Sequence, residues 1–307
     1  LSLDANTEGT DNTALGYQSL SANTTASNNV SIGRKAMLVN TTGDQNTAVG
    51  AQSLDANTTG SNVVAVGYQA LSANTTGHSN VAVGHTALQL STTAVRNTSV
   101  GASSLDANTT GNDNTACGTS ALGGNTTASE NTAVGSQALE ANTTGGANTA
   151  LGMRAMEATT TGGNNTAVGV FAMGVNTTGQ FNTAVGANAL DANTTGSENV
   201  AIGRLSLSAN TTADNNTACG VQALMVNTTG ENNSAFGAAS LDANTTGDQN
   251  TGFGYGTLTS NTTANNNTAV GFSALLLNTT GTRNTAVGSL AGDAITTGSN
   301  NVAVGDN

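Results

Sequence analysis

The chain has 307 residues, of which 8% are charged and 3% aromatic, with no Trp, no Pro and a formal net charge of -12. This composition excludes a thick globular core built around large rings, and it excludes the basic stripe that binding to nucleic acid requires. No apolar run approaches the ~20 residues of a membrane-spanning helix, so no membrane insertion is expected, and no signal peptide is visible.

Shifting the chain by seventeen residues lays it onto itself. With Asn12 as the first place of a repeat, a partial coil occupies 1–11, seventeen complete coils fill 12–300 and a second partial coil occupies 301–307. Strict register without insertion means that each copy is one turn of a stack and cannot bury its apolar side alone. The 307 residues are therefore expected to be one repeat array, a segment of a longer fibre, because both ends fall inside a repeat.

Each copy opens like Asn46-Thr47-Ala48-Val49-Gly50. Two β-favouring places on either side of a small residue predict a short strand whose second and fourth places, such as Val64 and Val66, share the core face, the second, which exchanges Thr and Val, lying near a dry core without always entering it. The third place is Ala, Ser or, once, Gly252, so something packs closely against that face. Gly at the fifth place, from Gly16 to Gly305, predicts positive φ or a close approach between coils. The sixth and seventh places vary as a solvent corner does. A second strand is expected to carry Ala or Ser at the eighth place and Leu or Met at the ninth, the largest core residue, with the eleventh place (Val39, Leu90, Val175, Val226, Leu277) pointing the same way.

The unit closes with Asn-Thr-Thr-Gly and two variable residues, a second corner in which Asn and Gly tolerate left-handed geometry. Gly and this corner recur too soon for a helix. The fold class is therefore all-β: a parallel β-solenoid, or narrow β-roll, of seventeen-residue coils. The face of small residues, Ala48 and Ser53 among them, is expected to pack against other chains as a three-chain bundle; the alternative is that these residues stand on an exposed strand.

A regular array spreads identical groups along an axis, whereas catalysis needs different groups converging on one point. No catalytic, cofactor-binding or metal site is assigned, and no cofactor is expected. His78 and His85 fall at opposite corners without a Cys or acidic cluster beside them. Asp4, Asp55, Asp106 and Glu157 share the tenth place every third coil, as do Glu140, Asp191, Asp242 and Asp293. Three coils at ~4.8 Å separate them by about 14 Å, too far for a glycosidase pair. Cys117 and Cys219 stand 102 residues apart at the fourth place, where Val stands elsewhere, and read as buried small apolar residues. At that separation no disulfide between them is expected.

The Asn-Thr-Thr corner also matches the N-glycosylation acceptor pattern on what reads as an exposed turn. The candidates are Asn23, Asn40, Asn57, Asn74, Asn108, Asn125, Asn142, Asn176, Asn193, Asn210, Asn227, Asn244, Asn261 and Asn278, as sugar sites or as an asparagine hydrogen-bond ladder. Ser91 and Thr159 take that place in two copies. The copy from Asn284 to Asn300 departs further, with Gly292 for Leu and Ile295 for Asn, as at a local kink or at the approach to another segment.

The Asn-Thr-Ala-Val-Gly segment, with Gly67-Tyr68-Gln69-Ala70-Leu71 as the continuation of one copy, resembles the repeats of trimeric autotransporter adhesin heads and of phage tail fibres. The resemblance covers the whole chain; the longer unit with its Asn-Thr-Thr-Gly corner departs from the adhesin-head pattern. It implies trimeric β-rolls, an extracellular location and a role in attachment. The expected function is the non-enzymatic shaft of an extracellular fibre, glycan-coated at its Asn-Thr-Thr corners. Its expected partners are copies of itself, as homotrimer or filament, and a cell-surface receptor or glycan. The alternative function is an ice- or surface-lattice-binding β-solenoid.

Overall fold

The structure, a computed structural model, describes residues 1–306. The chain packs as two compact units, Leu1–Met153 and Arg154–Asn307. The first holds nine three-residue strands, from Thr13–Leu15 to Thr149–Leu151, and the second nine more, from Thr166–Val168 to Val302–Val304. No helix occurs among the described residues, so none is long and apolar enough to cross a membrane.

Within each unit successive strands pair in parallel with a register of one repeat. Thr47 faces Val64, Ala48 faces Ala65 and Val49 faces Val66 in the first unit; Thr183, Ala184 and Val185 face Val200, Ala201 and Ile202 in the second. Each unit is thus a parallel β-solenoid with one strand per seventeen-residue coil.

The strand faces are reversed from the sequence expectation. The third place lies inside: Ala48, Ala65, Ala116, Ala167 and Ala218 are fully buried, while the second and fourth places face outward. The lumen is narrow because two short sides press together across it. Ser99 Oγ, at a third place, lies 2.5 Å from Ser104 Oγ, at the eighth place of the same coil. Where the eighth place carries the bulkier Thr257, the third is Gly252, and a Cβ there would stand 2.6 Å from Thr257 Oγ1. The small face therefore packs against its own coil, which removes the reason for setting it against other chains. Cys117 is exposed and Cys219 partly so, because the fourth place is outside.

The expected second strand is a run of turns. The seventh, ninth and seventeenth places have left-handed φ, as in Gln52 (56°), Leu54 (51°) and Asn62 (59°). Such a conformation costs a bulky residue roughly 1–3 kcal/mol and persists only where its surroundings over-determine it. Leu54 is fixed twice over: its side chain is fully buried, and its N–H donates to the Ala70 carbonyl at 2.9 Å. The reversal at the ninth place also turns the eleventh outward, so Leu90 and Leu277 are about half exposed rather than core (50% and 48%).

Gly at the fifth place is required on both grounds read from the sequence. Gly50 has φ 137°, a region closed to side chains, and a Cβ there would collide with the carbonyl of Gly67 in the next coil. In the copy with two exchanges, Ile295 Cδ1 lies 3.1 Å from where a Cβ of Gly292 would be. The displaced side chain thus refills the lumen from the other place.

Candidate functional site

The interior of each coil is half polar. The first-place Asn, the third-place Ala, the eighth- and ninth-place side chains and the twelfth-place Asn share it. All fourteen candidate asparagines, from Asn23 to Asn278, are fully buried rather than set on an exposed turn. The reason is chemical: the corner's backbone groups point inward and need partners, and an amide side chain supplies both a donor and an acceptor.

These asparagines form a ladder. Asn57 Nδ2 donates to Asn40 Oδ1 in the coil before (2.7 Å) and to the Gly60 carbonyl of its own corner (2.9 Å). Asn74 Nδ2 repeats the pattern onto Asn57 Oδ1 at 2.8 Å, and in the second unit Asn210, Asn244 and Asn261 bond to Asn193, Asn227 and Asn244 at 2.8–2.9 Å. Both hydrogens of each such Nδ2 are engaged and the group is out of solvent, so the folded coil presents no amide nitrogen to a sugar transferase.

A second ladder runs through the first place. The Asn46 backbone N–H donates to Asn29 Oδ1 (2.9 Å), and Asn46 Nδ2 donates to the same Gly60 carbonyl that Asn57 uses (2.8 Å). One corner carbonyl thus ties the two files together, using both of its lone pairs. The trace of this second file in the sequence is the recurrence of Asn before the strand.

The ladder is directional, so a missing rung leaves a specific orphan. Ser91 is too short to reach back, and Asn74 Oδ1 is buried without a partner, as is Ser91 Oγ. Asn108 Nδ2, one coil on, keeps only its bond to the Gly111 carbonyl. Ile295 has no donor to offer, and Asn278 Oδ1 is orphaned in the same way.

Outside, the fourth place forms an apolar file along each unit. Leu15, Ile32, Val100 and Leu151 are exposed in the first, and Val185, Ile202, Phe236, Phe253 and Val287 in the second. Aromatic rings at the fourth and sixth places gather in the second unit. Phe236 and Phe253 have centroids 5.7 Å apart, as do Tyr255 and Phe272, which lie nearly parallel at 9°. The signal missed in the sequence is the range of sizes at this place, from Cys117 to Phe253, which a lumen of fixed width could not hold.

Ionisable groups are sparse. Arg96 and Asp113 make an exposed two-point ion pair (2.6 and 2.8 Å), which holds the Asp113 carboxyl below its ordinary range. Asp55, Asp106, Asp191 and Asp242 have raised pKa values because partial burial outweighs the backbone N–H bonds they accept. His85 stacks on Tyr68 at 5.5 Å. Among the described residues no group of three or more His, Cys, Asp or Glu side chains is placed to hold a metal ion.

The fold defines a class, the parallel β-solenoid with a hydrogen-bonded asparagine lumen. No protein-family model matches the chain, and a search of curated proteins found none similar to it.

Proposed function

We propose that the chain is a non-enzymatic structural segment of an extracellular fibre, a shaft that spaces or presents an attachment element and associates with copies of itself, as a homotrimer, through the outward strand face. The observation that supports this reading is the apolar file at the fourth place, repeated coil after coil and backed by a lumen already filled from within. Contiguous apolar surface of that extent marks an interaction site on a soluble protein, and a copy of the same chain offers a file with the same period. The half-polar interior and the repeated corner suit a scaffold more than a pocket, since like groups recur along an axis instead of converging.

Native mass spectrometry and light scattering test the reading. The expected particle holds three chains. Val100→Asp, Cys117→Asp and Val134→Asp together should release monomers whose circular dichroism is unchanged, because these side chains do not enter the lumen. A monodisperse monomer for the parent chain would overturn the association, and trimers that survive the triple substitution would overturn the face assigned to it.

A further inference from the structure

Three places of the repeat hold one residue type in all seventeen complete copies: Gly at the fifth, Thr at the thirteenth and Thr at the fourteenth. The glycine is explained by its φ and by the next coil's carbonyl. The first threonine is explained by a rung of its own, since Thr41, Thr58 and Thr75 Oγ1 donate to the carbonyls of Thr58, Thr75 and Thr92 at 3.0–3.1 Å. The second threonine has no such reason. From Thr25 to Thr297 it is exposed in every copy, and its hydroxyl makes no bond to the chain among the described residues.

The backbone does not demand Thr there either. In the leading partial coil the fourteenth place is Glu8, whose N–H still donates to the Thr24 carbonyl (3.0 Å), as the N–H groups of Thr42 and Thr59 do to Thr58 and Thr75 (3.2 and 3.3 Å). A side chain that is the same in all seventeen complete copies, reaches solvent and bonds nothing in its own chain is kept for something outside it.

We propose that this file of second threonines is a set of O-glycosylation sites. The step is a group transfer from a nucleotide-activated sugar held by a transferase. Thr Oγ1 forms a bond to the anomeric carbon, the bond from that carbon to the diphosphate breaks, the nucleoside diphosphate leaves, and the hydroxyl proton passes to a base of the transferase. The proposal rests on the extracellular-shaft reading. A chain with only 8% charged residues and an outward apolar file needs another source of hydration, and sugars along one corner supply it while leaving the strand face free. A bare hydroxyl lattice fits less well. The neighbouring sixteenth place changes between Asp44, His78, Gln180 and Glu231, so the column has no flat companion.

The test is peptide mapping, by mass spectrometry with electron-transfer fragmentation, of protein purified from the organism that makes it, before and after alkaline β-elimination. Sugar increments are expected on second threonines, removable by base, and absent from the buried asparagines and from the first threonines. Thr59→Val, Thr76→Val and Thr93→Val should remove three sites and leave the circular dichroism unchanged, because no hydrogen bond is lost. Unmodified second threonines throughout, or sugars on the asparagines or first threonines instead, would overturn the proposal. The association state is measured separately on the same material, so failure here leaves the shaft reading standing or falling on its own result.

Discussion

Replacing Ser91 by Asn should stabilise the first unit. Asn74 Oδ1 and Ser91 Oγ are now buried without partners, and Asn108 Nδ2 bonds only to Gly111. An amide at position 91 would donate to Asn74 Oδ1, donate to the Ala94 carbonyl and accept from Asn108 Nδ2, the three bonds that Asn125 and its neighbours make with Asn108, Ala128 and Asn142. Ala at the corner's end does not interfere, since Ala128 stands there beside Asn125. Three bonds at a net ~0.5–1.5 kcal/mol each, less about 1 kcal/mol for ordering the longer side chain, leave about 0.5–3.5 kcal/mol of stabilisation. Repeat stacks need not unfold in one step, so the assay is native-state hydrogen exchange at the Asn74, Thr92 and Asn108 amides, supported by urea denaturation. The converse exchange, Asn57→Ser, should transplant the defect and speed exchange around Asn40 by a comparable free energy. Unchanged or faster exchange in Ser91→Asn would refute the reasoning, because it would mean that the orphaned groups are already satisfied or that the ladder contributes nothing.

The inside and outside of the strand are separable by one pair of substitutions: Ala116→Leu should overpack the lumen and cost ~1–3 kcal/mol or more, whereas Cys117→Ser, one residue on and facing solvent, should stay within about 0.5 kcal/mol; urea midpoints decide, and equal tolerance would reverse the assignment. Leu139→Ala empties a fully buried ninth place and should cost ~2–5 kcal/mol by the same measurement. Stability should rise on acidification from neutral pH. The carboxyl groups of Asp55, Asp106, Asp191 and Asp242 are raised by burial, so their contribution is complete below the unfolded carboxylate value of ~3.9 and is lost as pH rises through the folded values. Asp113, held low by Arg96 on the surface, works in the opposite sense, and replacing the four raised aspartates by Asn should flatten the profile of melting temperature against pH.

The period, the parallel stacking and the need for Gly at the fifth place were legible because each follows from recurrence alone, and a strand ended by Gly leaves few alternatives. The side-chain directions were not. Alternation says that Ala48 and Val49 face opposite ways, but not which way is in, and the usual rule that the larger apolar residue is buried chose wrongly. It fails in a coil this narrow because two sides must close across the lumen within the width of an Ala and a Ser, so size itself is excluded from the interior of the strand. The second strand failed for a different reason. Left-handed φ at Leu54 and Gln52 contradicts the local preference of those residues, and only the stack, with its N–H groups bonded to neighbouring coils, makes it affordable. The inward side of the candidate asparagines was equally hidden, because Asn is a turn residue by propensity and a core residue here by its two-sided hydrogen bonding.

The polar lumen changes what holds the stack together. A hydrophobic core is non-directional, and a coil could slip or rotate over it at modest cost. The asparagine files are directional: each Nδ2 reaches back one coil while its Oδ1 waits for the next, so each rung satisfies one neighbour and depends on the other. Register is thereby fixed at every step, and a single exchange is felt two coils wide, as Asn74, Ser91 and Asn108 show. Because the interior specifies itself from Asn, Ala, Leu and backbone, the fourth, sixth, tenth and sixteenth places carry no duty inside. Their variation from Cys117 to Phe253, or from Asp44 to Gln180, is then free to serve the surface. The same division makes the outward apolar file and the unbonded second threonine informative, since the interior accounts for neither.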